Sequence, residues 1–389
     1  MAKRHLKLFR LTTIPASLHR QLKGQLEFLD QYYEVAAIAS DIGQDIWQII
    51  AEREKVRCYP IHIEREISIF NDIKSIIELY SYLKKEKPFI VHANTPKASL
   101  LGMLAAKFAK IPHRLYTVTG LRFEAETGIK RKVLIAMERV TCWAATKVIP
   151  EGQGVKQTLQ KNKITTKPLR VIANGNINGI NTAHFSPAFY SLEQKEKIKN
   201  ETGIPPESFV FCFVGRLVKD KGINELVQAF MAINKRYRYS KLLLVGRFER
   251  ELDPLEPETE RAVLNHPDIV YVGLQSDVRP YLAVSDVFVF PSYREGFPNV
   301  VMQAGAMELP CIVTDINGCN EIIEDGVNGL IIQPKNKIQL QEKMQLLLEN
   351  SDLRNHLKQN TREKITSRYE QKMVWEELLA EYKSLEVNS

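Results

Sequence analysis

Residues 286–303 read DVFVFPSYREGFPNVVMQ, and this stretch joins a strand to a helix. The run VFVF is short and apolar, as in a strand buried on both faces, and a helix-like pattern follows Pro298, a residue favoured in the first turn. Glu295 and Gly296 lie between the two elements. Ligands of open α/β sheets bind beyond the carboxyl ends of strands, so Glu295 stands where a ligand is expected.

The same alternation of apolar runs and amphipathic stretches extends over the chain. It predicts βαβ units and parallel sheets, with an interruption at the Asn- and Gly-rich segment 173–187. We therefore predict two doubly wound α/β domains, residues 1–182 and 183–372. The apolar runs that carry this prediction are LKLFRLTT, YEVAAIAS, PFIVHANT and HRLYTVT in the first half, and SFVFCFV, KLLLV, DIVYV, VFVF and PCIVTD in the second.

Composition limits the class of protein. A chain of 389 residues that is 44% hydrophobic and 26% charged is globular and long enough for two cores. No apolar run approaches the roughly 18 residues of a membrane span, and the basic start leads into no signal-type apolar segment. We expect a cytoplasmic protein. The five cysteines show no metal-type spacing, and Cys212 and Cys311 lie in predicted strands, so we expect reduced thiols with these two buried.

Charge is concentrated in the first half. Residues 1–180 contain 29 Lys+Arg and 16 Asp+Glu, a net charge of +13, whereas the rest of the chain has a net charge of −5. This asymmetry suggests an anionic partner for the first domain, either nucleic acid or an acidic membrane surface. A solvated basic surface without a partner is the alternative.

Two strand ends contain groups that suit a diphosphate. Gly215, Arg216 and Lys221 follow the run FVFCFV, and they offer a tight turn, a rigid fork of donors and a mobile point charge. If a helix begins near Pro298, the backbone N–H groups of Asn299 and Val300 face an anion as well. The carboxylate of Glu295 is then repelled unless it binds sugar hydroxyls, and the Gln303 side chain reaches a ribose.

The segment SYREGFPNVVMQAGAMELP, together with GRLVKDKG and TDINGCNEIIEDGVNG, resembles the family-four retaining glycosyltransferases, especially bacterial members that build capsular or polyprenol-linked surface polysaccharides. The resemblance implies the GT-B fold: two Rossmann-like domains facing across a cleft, with a C-terminal helix, about 373–389, returning to the acceptor-side first domain. It implies that Glu295 binds the donor sugar. The implied donor-binding residues are Gly215, Arg216, Lys221, Glu295, Gly296, Phe297, Asn299, Val300 and Gln303.

The sequence departs from the family pattern at several positions. Gln303 replaces the second glutamate, which typically binds ribose, and an amide keeps a weaker, neutral contact. Thr119 stands where many members place a histidine, and TTIPAS lacks the usual glycine-rich loop. His92, at the end of the run FIVHA, is either a catalytic substitute or a hydrogen-bonded structural residue.

The resemblance implies a retaining transfer from a nucleotide sugar, expected to be a UDP-sugar. We favour front-face attack, with the growing charge of the leaving diphosphate stabilised by Arg216, Lys221 and the helix start. We expect no metal and no further cofactor, and we read Asp277, Asp286 and Asp315 as turn or capping residues. A non-catalytic nucleotide-sugar-binding subunit and a nucleotide-sugar epimerase of the same architecture remain as alternative functions.

The expected acceptor is a lipid-linked or oligosaccharide glycan. Lipid diphosphates lie in an anionic leaflet, so Lys130, Arg131 and Lys132, beside the apolar run VLIAM, would let a helix rest on the inner face of the membrane. The same stretch also fits an ordinary amphipathic helix against a core. We expect no nucleic acid, because no aromatic and basic stacking platform accompanies the charge.

Overall fold

The computed structural model describes residues 6–64, 68–251 and 253–387, and these divide into two compact units. One unit holds the described residues up to Gly179 together with those from Gln371 onward. The other holds Ile180–Glu370. The C-terminal helix thus belongs with the first unit, as the resemblance implies, although residues 388 and 389 of the expected helix lie outside the described part.

The first unit is a six-stranded parallel sheet in the order β3-β2-β1-β4-β5-β6, with helices on both faces. Its strands are β1 Lys7–Leu11, β2 Glu34–Ser40, β3 Arg57–Ile61, β4 Ile90–Ala93, β5 His113–Val118 and β6 Lys147–Pro150. Its helices are α1 Pro15–Gln21, α2 Gln25–Asp30, α3 Gln44–Glu54, α4 Ile69–Glu86, α5 Pro96–Phe108, α6 Gly128–Ala144, α7 Gln153–Lys161 and the C-terminal α16 Gln371–Val387.

The second unit repeats this design, with a parallel sheet in the order β12-β11-β10-β7-β8-β9. Its strands are β7 Phe209–Val214, β8 Ser240–Val245, β9 Ile269–Tyr271, β10 Val287–Phe290, β11 Cys311–Thr314 and β12 Gly329–Ile332. Its helices are α8 Leu192–Glu201, α9 Ile223–Asn234, α10 Pro257–Asn265, α11 Arg279–Ala283, α12 Asn299–Ala306, α13 Cys319–Ile322, α14 Lys337–Glu349 and α15 Ser351–Tyr369.

The hydrophobic core of each unit includes the side chains of its central strands, which are buried on both faces of the sheet. All six residues of β7 are buried, and full burial of one phenylalanine contributes about 1.5 to 3 kcal/mol. Cys212 in β7 and Cys311 in β11 are buried thiols, as expected. Burial raises the pKa of Cys212 to about 12, so this thiol is un-ionised at neutral pH. The predicted doubly wound architecture is confirmed.

The strand order defines where each sheet can bind a ligand. In each unit the first and fourth strands are neighbours, β1 beside β4 and β7 beside β10, and the order continues outward from them in opposite directions. Such a reversal point opens a crevice at the carboxyl ends of the two strands. In the second unit, the loops that follow β7 and β10 line this crevice.

Candidate functional site

The loops after β7 and β10 contact each other directly. The backbone N–H of Tyr293 donates to the carbonyl of Asp220 at 2.8 Å, which ties the second loop to the first. Gly222, at the end of the first loop, has a φ of +70°, and a Cβ there would lie 2.2 Å from the carbonyl oxygen of Pro291. Only glycine allows this approach, so the close packing of the two loops depends on Gly222.

Lys221 and Glu295 form an ion pair across these loops. The Lys221 ammonium contacts Glu295 Oε1, and the Ser292 hydroxyl donates to the same oxygen at 2.9 Å. Both charged side chains are largely shielded, with 15% and 16% of their surfaces exposed. The two residues expected for the diphosphate and for the sugar therefore lie side by side. Ser292 is a partner of Glu295 that the sequence analysis did not identify.

Arg216 is held by a second carboxylate that the sequence analysis missed. Its Nη1 donates to Glu249 Oε2 at 2.5 Å, and Arg247 approaches the other oxygen of Glu249 at 3.3 Å. Burial alone would raise the pKa of Glu249, but the hydrogen bonds and charges of the two arginines lower it below its ordinary value. Glu249 is therefore an anion that fixes one side of the Arg216 fork, while 43% of the Arg216 side chain stays exposed.

α12 begins one residue later than Pro298, which is its N-cap. The Val301 N–H of the first turn donates to the Pro298 carbonyl at 3.1 Å. The aligned peptide dipoles of a helix place partial positive charge at its N-terminus, here at the start of α12. Gln303 lies one turn further on and is half-buried, and its side-chain amide makes no hydrogen bond to any residue among 6–64, 68–251 and 253–387. Its position leaves the amide available to a ligand.

Phe297 and Gly318 fix the position of the loop that carries Glu295. The Phe297 ring packs in the core at 5.5 Å from the Tyr369 ring, so only the Phe297 backbone is left for a ligand. Gly318 has a φ of +73°, and a Cβ there would lie 2.4 Å from the carbonyl oxygen of Gly296. Substitution of Gly318 would therefore displace the loop that carries Glu295.

Together these residues present two kinds of recognition chemistry. Arg216, Lys221 and the α12 start offer donors and positive charge, which suit phosphate oxygens. Glu295 offers acceptor oxygens, which suit hydroxyl groups. The arrangement therefore fits a ligand that joins phosphate to a polyol, and the Lys221–Glu295 contact marks the point where those two parts would meet.

His92 lies elsewhere, in the core of the first unit. It is 1% exposed, its Nδ1 is 2.6 Å from the Tyr382 hydroxyl of α16, and its Nε2 is 2.7 Å from the Thr117 hydroxyl. Burial and the charge of Arg10 hold the pKa of His92 well below its ordinary value. A cavity of about 20 Å³ beside it has room for roughly one water. This geometry supports the structural one of the two interpretations of His92.

We predict that His92→Ala destabilises the first unit without changing nucleotide affinity. The substitution leaves the buried Thr117 hydroxyl without its partner and removes one of two partners of the Tyr382 hydroxyl, which still accepts from Arg10 at 3.0 Å. One unsatisfied buried group and one lost hydrogen bond together correspond to a loss of about 2 to 4 kcal/mol in the free energy of unfolding. Chemical denaturation and UDP titration measure the two quantities. Full stability combined with lost transferase turnover would instead support the catalytic interpretation.

Other polar residues from the sequence analysis are also occupied. The Thr119 hydroxyl donates to the carbonyl of Asn94 at 2.9 Å. Asp286 accepts the N–H of Val210 at 2.8 Å, Asp277 binds Arg279, and Asp315 accepts from the Asn320 amide at 2.8 Å. Asp277 and Asp315 thus make local contacts, as expected for turn or capping residues, whereas Asp286 joins two neighbouring strands, β7 and β10.

Family models match both units of the chain. The model described as glycosyl transferases group 1 matches residues 194–364, which include the whole β7–β10 crevice. The model described as glycosyl transferase 4-like matches residues 16–151 of the first unit.

Solved structures match the fold of the whole chain. The Anabaena HepE structure in complex with UDP has a TM-score of 0.79 at 16% identity and covers 97% of this chain and 100% of that chain. A Rickettsia africae glycosyltransferase has a TM-score of 0.80 at 20% identity, with both chains fully covered. These similarities establish the fold.

Curated relatives match at higher identity. The capsular polysaccharide biosynthesis glycosyltransferase CapM of Staphylococcus aureus is 34% identical over 97% of this chain and 96% of its own length. The Escherichia coli UDP-Gal:α-D-GlcNAc-diphosphoundecaprenol α-1,3-galactosyltransferase is 32% identical over 69% of this chain and 68% of its own length. A Campylobacter jejuni N,N'-diacetylbacillosaminyl-diphospho-undecaprenol α-1,3-N-acetylgalactosaminyltransferase is 30% identical over 74% and 75%. The chain therefore belongs to the group 1, glycosyltransferase 4-like family and is a glycosyltransferase of the GT-B fold.

Proposed function

We propose that this glycosyltransferase moves a sugar from a UDP-sugar to a polyprenol-diphosphate-linked glycan, with retention of anomeric configuration, in the synthesis of a surface polysaccharide. The observation that carries the proposal is the contact of Lys221 with Glu295 beside Arg216 and the α12 start. The names of the S. aureus, E. coli and C. jejuni relatives support the class of acceptor, and the UDP in the HepE structure supports the nucleotide.

The donor would lie across the β7–β10 crevice. Its diphosphate binds Arg216, Lys221 and the N–H groups at the start of α12, and its sugar hydroxyls donate to Glu295. Because Lys221 and Glu295 touch, the anomeric carbon, which joins the diphosphate to the sugar, falls next to this pair. Glu249 and Ser292 act as positioning residues, the first for Arg216 and the second for Glu295.

Front-face transfer fits this arrangement. The bond from the anomeric carbon to the diphosphate oxygen breaks, and the acceptor oxygen forms its bond on the same face of the sugar. The acceptor's proton passes to the departing diphosphate oxygen. Arg216, Lys221 and the α12 start stabilise the charge that grows on the diphosphate, and one well-placed donor of this kind contributes about 2.7 to 4 kcal/mol.

Neither a metal ion nor another cofactor enters this proposal. Among residues 6–64, 68–251 and 253–387, no group of three or more His, Cys, Asp or Glu side chains is arranged to hold a metal ion. We propose that the two cationic side chains and the helix start neutralise the diphosphate.

Gln303 provides a test of the ribose contact. We predict that Gln303→Glu tightens UDP binding or leaves transferase activity at least unchanged, because a carboxylate accepts stronger hydrogen bonds from ribose hydroxyls than an amide. UDP titration and turnover of both proteins measure this. A collapse of activity would mean that the amide is itself required by this donor.

We place the reaction at the inner face of the cytoplasmic membrane, where a polyprenol-linked acceptor meets a soluble nucleotide sugar. None of the described helices has the length and apolar character needed to cross a bilayer. A peripheral location with an anionic membrane surface as partner is consistent with the net charge of +13 over residues 1–180.

A panel of sugar nucleotides, incubated with the protein with and without a polyprenyl-diphosphate glycan, tests the proposal. We expect UDP release and a lengthened lipid-linked glycan with one UDP-sugar only. Tight UDP binding without any turnover would indicate a binding subunit. Conversion of the donor sugar to its epimer without acceptor would indicate an epimerase.

A further inference from the structure

Helix α6 carries a second apolar surface on its outer side. Its inner side packs against the sheet, where Glu138 and Cys142 are buried and the Tyr116 hydroxyl donates to Glu138 at 2.9 Å. The outer side nevertheless exposes large apolar side chains at spacings of one or two helical turns. These are Ile129 (80% exposed), Val133 (49%), Val140 (40%) and Trp143 (57%), and we call this set the α6 stripe.

Basic side chains flank the α6 stripe. Lys130, Lys132 and Arg139 are all exposed, and the Lys107 ammonium of α5 lies 4.1 Å from the centre of the Trp143 ring. The one acidic residue within α6 is the buried Glu138. Lys130 pairs with Glu126, just before α6, at 2.6 Å, and its side chain is still 67% exposed. The outer face of this helix is therefore apolar along its middle and has basic side chains along its sides.

The sequence pattern of α6 predicts this surface only in part. Val133 is exposed, but Leu134, Ile135 and Met137 of the run VLIAM are half-buried. Arg131 is also turned toward the protein, since it donates to the Asn162 amide oxygen at 2.6 Å and stacks on Phe123. Lys130 and Lys132 are the members of the basic triplet that remain at the exposed face.

Helix α4 carries a comparable exposed apolar patch. Its first turns expose four large apolar side chains, and α4 and α6 lie on either side of α5 on the same face of the sheet. α4 follows β3 in the chain, and α6 follows β5. The first turns of both helices therefore lie at the end of the sheet where the strands have their carboxyl ends. The exposed residues of α4 are Ile69, Phe70, Ile73 and Ile77.

We propose that the α6 stripe and the first turns of α4 rest on an anionic lipid bilayer. Isoleucine and valine side chains enter the boundary between headgroups and acyl chains, and tryptophan is favoured at that depth because its ring is amphipathic. The flanking lysines and arginine bind anionic headgroups. Charge complementarity of the cationic flanks selects an anionic membrane as the occupant over a neutral one.

This inference rests on the proposed function only for the location of the acceptor, because lipid binding is measured without donor or acceptor. It names the face of the protein that holds the enzyme at the leaflet. The first turns of α4 and α6 lie at the carboxyl ends of the strands, where β1 and β4 also end. Ligands of open α/β sheets bind at this end of the sheet, so it is the expected binding region of the first unit. A membrane at this face brings a lipid diphosphate to that region.

Vesicle flotation of the full chain tests the inference. We expect the protein to float with vesicles of phosphatidylcholine containing 30% phosphatidylglycerol and to remain below vesicles of phosphatidylcholine alone. The variant K130E/K132E/V133S should lower binding to the anionic vesicles at least about tenfold. The matched control is R20E/K23E/I49S, which makes the same kinds of change at three exposed residues on the opposite face of the sheet. Arg20 lies in α1, Lys23 in the loop that follows α1, and Ile49 in α3. The control should bind the anionic vesicles as the parent does.

Melting temperature and UDP affinity are measured on both variants to separate lipid binding from folding and from the donor site. If the triple variant is unstable, K130A/K132A replaces it, because both side chains are exposed. Equal binding of the parent to both vesicle types, no binding to either, or equal losses in the α6 variant and the control would overturn the inference. So would a dimer in solution that the α6 substitutions dissociate, since a second copy would then cover this face.

Discussion

Glu295→Gln is expected to lower transferase turnover at least about tenfold, which equals 1.36 kcal/mol of transition-state stabilisation, while UDP affinity is not weakened. The carboxylate binds sugar hydroxyls more strongly as positive charge develops at the anomeric carbon, and the amide does not. UDP itself lacks the transferred sugar that Glu295 would contact, so its affinity does not depend on that contact. Removal of the carboxylate also frees Lys221, which strengthens rather than weakens its interaction with the diphosphate.

The measurements are turnover, UDP affinity and melting temperature on the same protein. Glu324→Gln is the matched control, because Glu324 is a carboxylate of the same unit that pairs with a lysine, Lys364, at the surface. We expect both variants to melt within about 2 to 4 °C of the parent, as for a change below about 1 kcal/mol. Normal turnover in the Glu295 variant, or a loss that parallels unfolding, would assign the carboxylate to the loop structure alone.

Arg216→Ala is expected to weaken UDP binding by about 1.5 to 3 kcal/mol, the range for hydrogen bonds to charged groups. This corresponds to a dissociation constant about 10 to 150 times higher. The substitution removes the fork that Glu249 holds in place at the end of β7. Arg216→Lys should give a smaller loss, because it keeps the charge but not the paired donors.

Arg247→Ala is the natural control for Arg216, since both arginines bind Glu249 and Arg247 is the more exposed of the two. We expect its UDP affinity to stay within about twofold of the parent, less than 0.5 kcal/mol. Isothermal titration calorimetry measures UDP affinity in the parent and the three variants. Equal losses at the two positions would indicate a general change in charge, and no loss at either would remove Arg216 from the donor site.

The strands that the sequence pattern identified are mostly central, and the ones it missed lie at sheet edges. β3, β6 and β12 are all edge strands, and β3 and β6 each contain a proline, Pro60 and Pro150. An edge strand tolerates proline, so the apolar pattern of β3 and β6 is interrupted. β12 has only four residues, GLII, and follows a Gly- and Asn-containing turn, so its short apolar run reads as part of a loop. The stretch 16–29 also reads as one helix, whereas Gly24, with a φ of +79°, separates α1 from α2.

The candidate site was predictable where its residues follow strands directly. Lys221 and Glu295 lie 74 positions apart, yet both follow neighbouring strands of the reversal point, and the structure brings them into contact. Glu249 follows β8 with no motif of its own, and its role depends on the direction of the Arg216 side chain. Ser292 reads as a turn residue. Glu249 and Ser292 take part because of the directions of nearby side chains, and a sequence pattern of strands and loops does not specify those directions.

The exposed face of α6 illustrates a further limit. The apolar residues of α6 occupy both sides of the helix, and the sequence alone does not say which side meets the sheet. The buried partners of Glu138 and the exposure of Trp143 distinguish the two sides.

We propose that sugar leaves a UDP donor at the Lys221–Glu295 pair and appears on a lipid-linked glycan. The most direct measurement follows one labelled UDP-sugar in the presence of a polyprenyl-diphosphate acceptor, with the parent and Glu295→Gln compared at equal UDP occupancy. We expect one UDP released for each sugar transferred, an anomeric configuration in the product that matches the donor, and at least a tenfold slower rate in the variant. Inverted configuration, or equal rates in the two proteins, would contradict it.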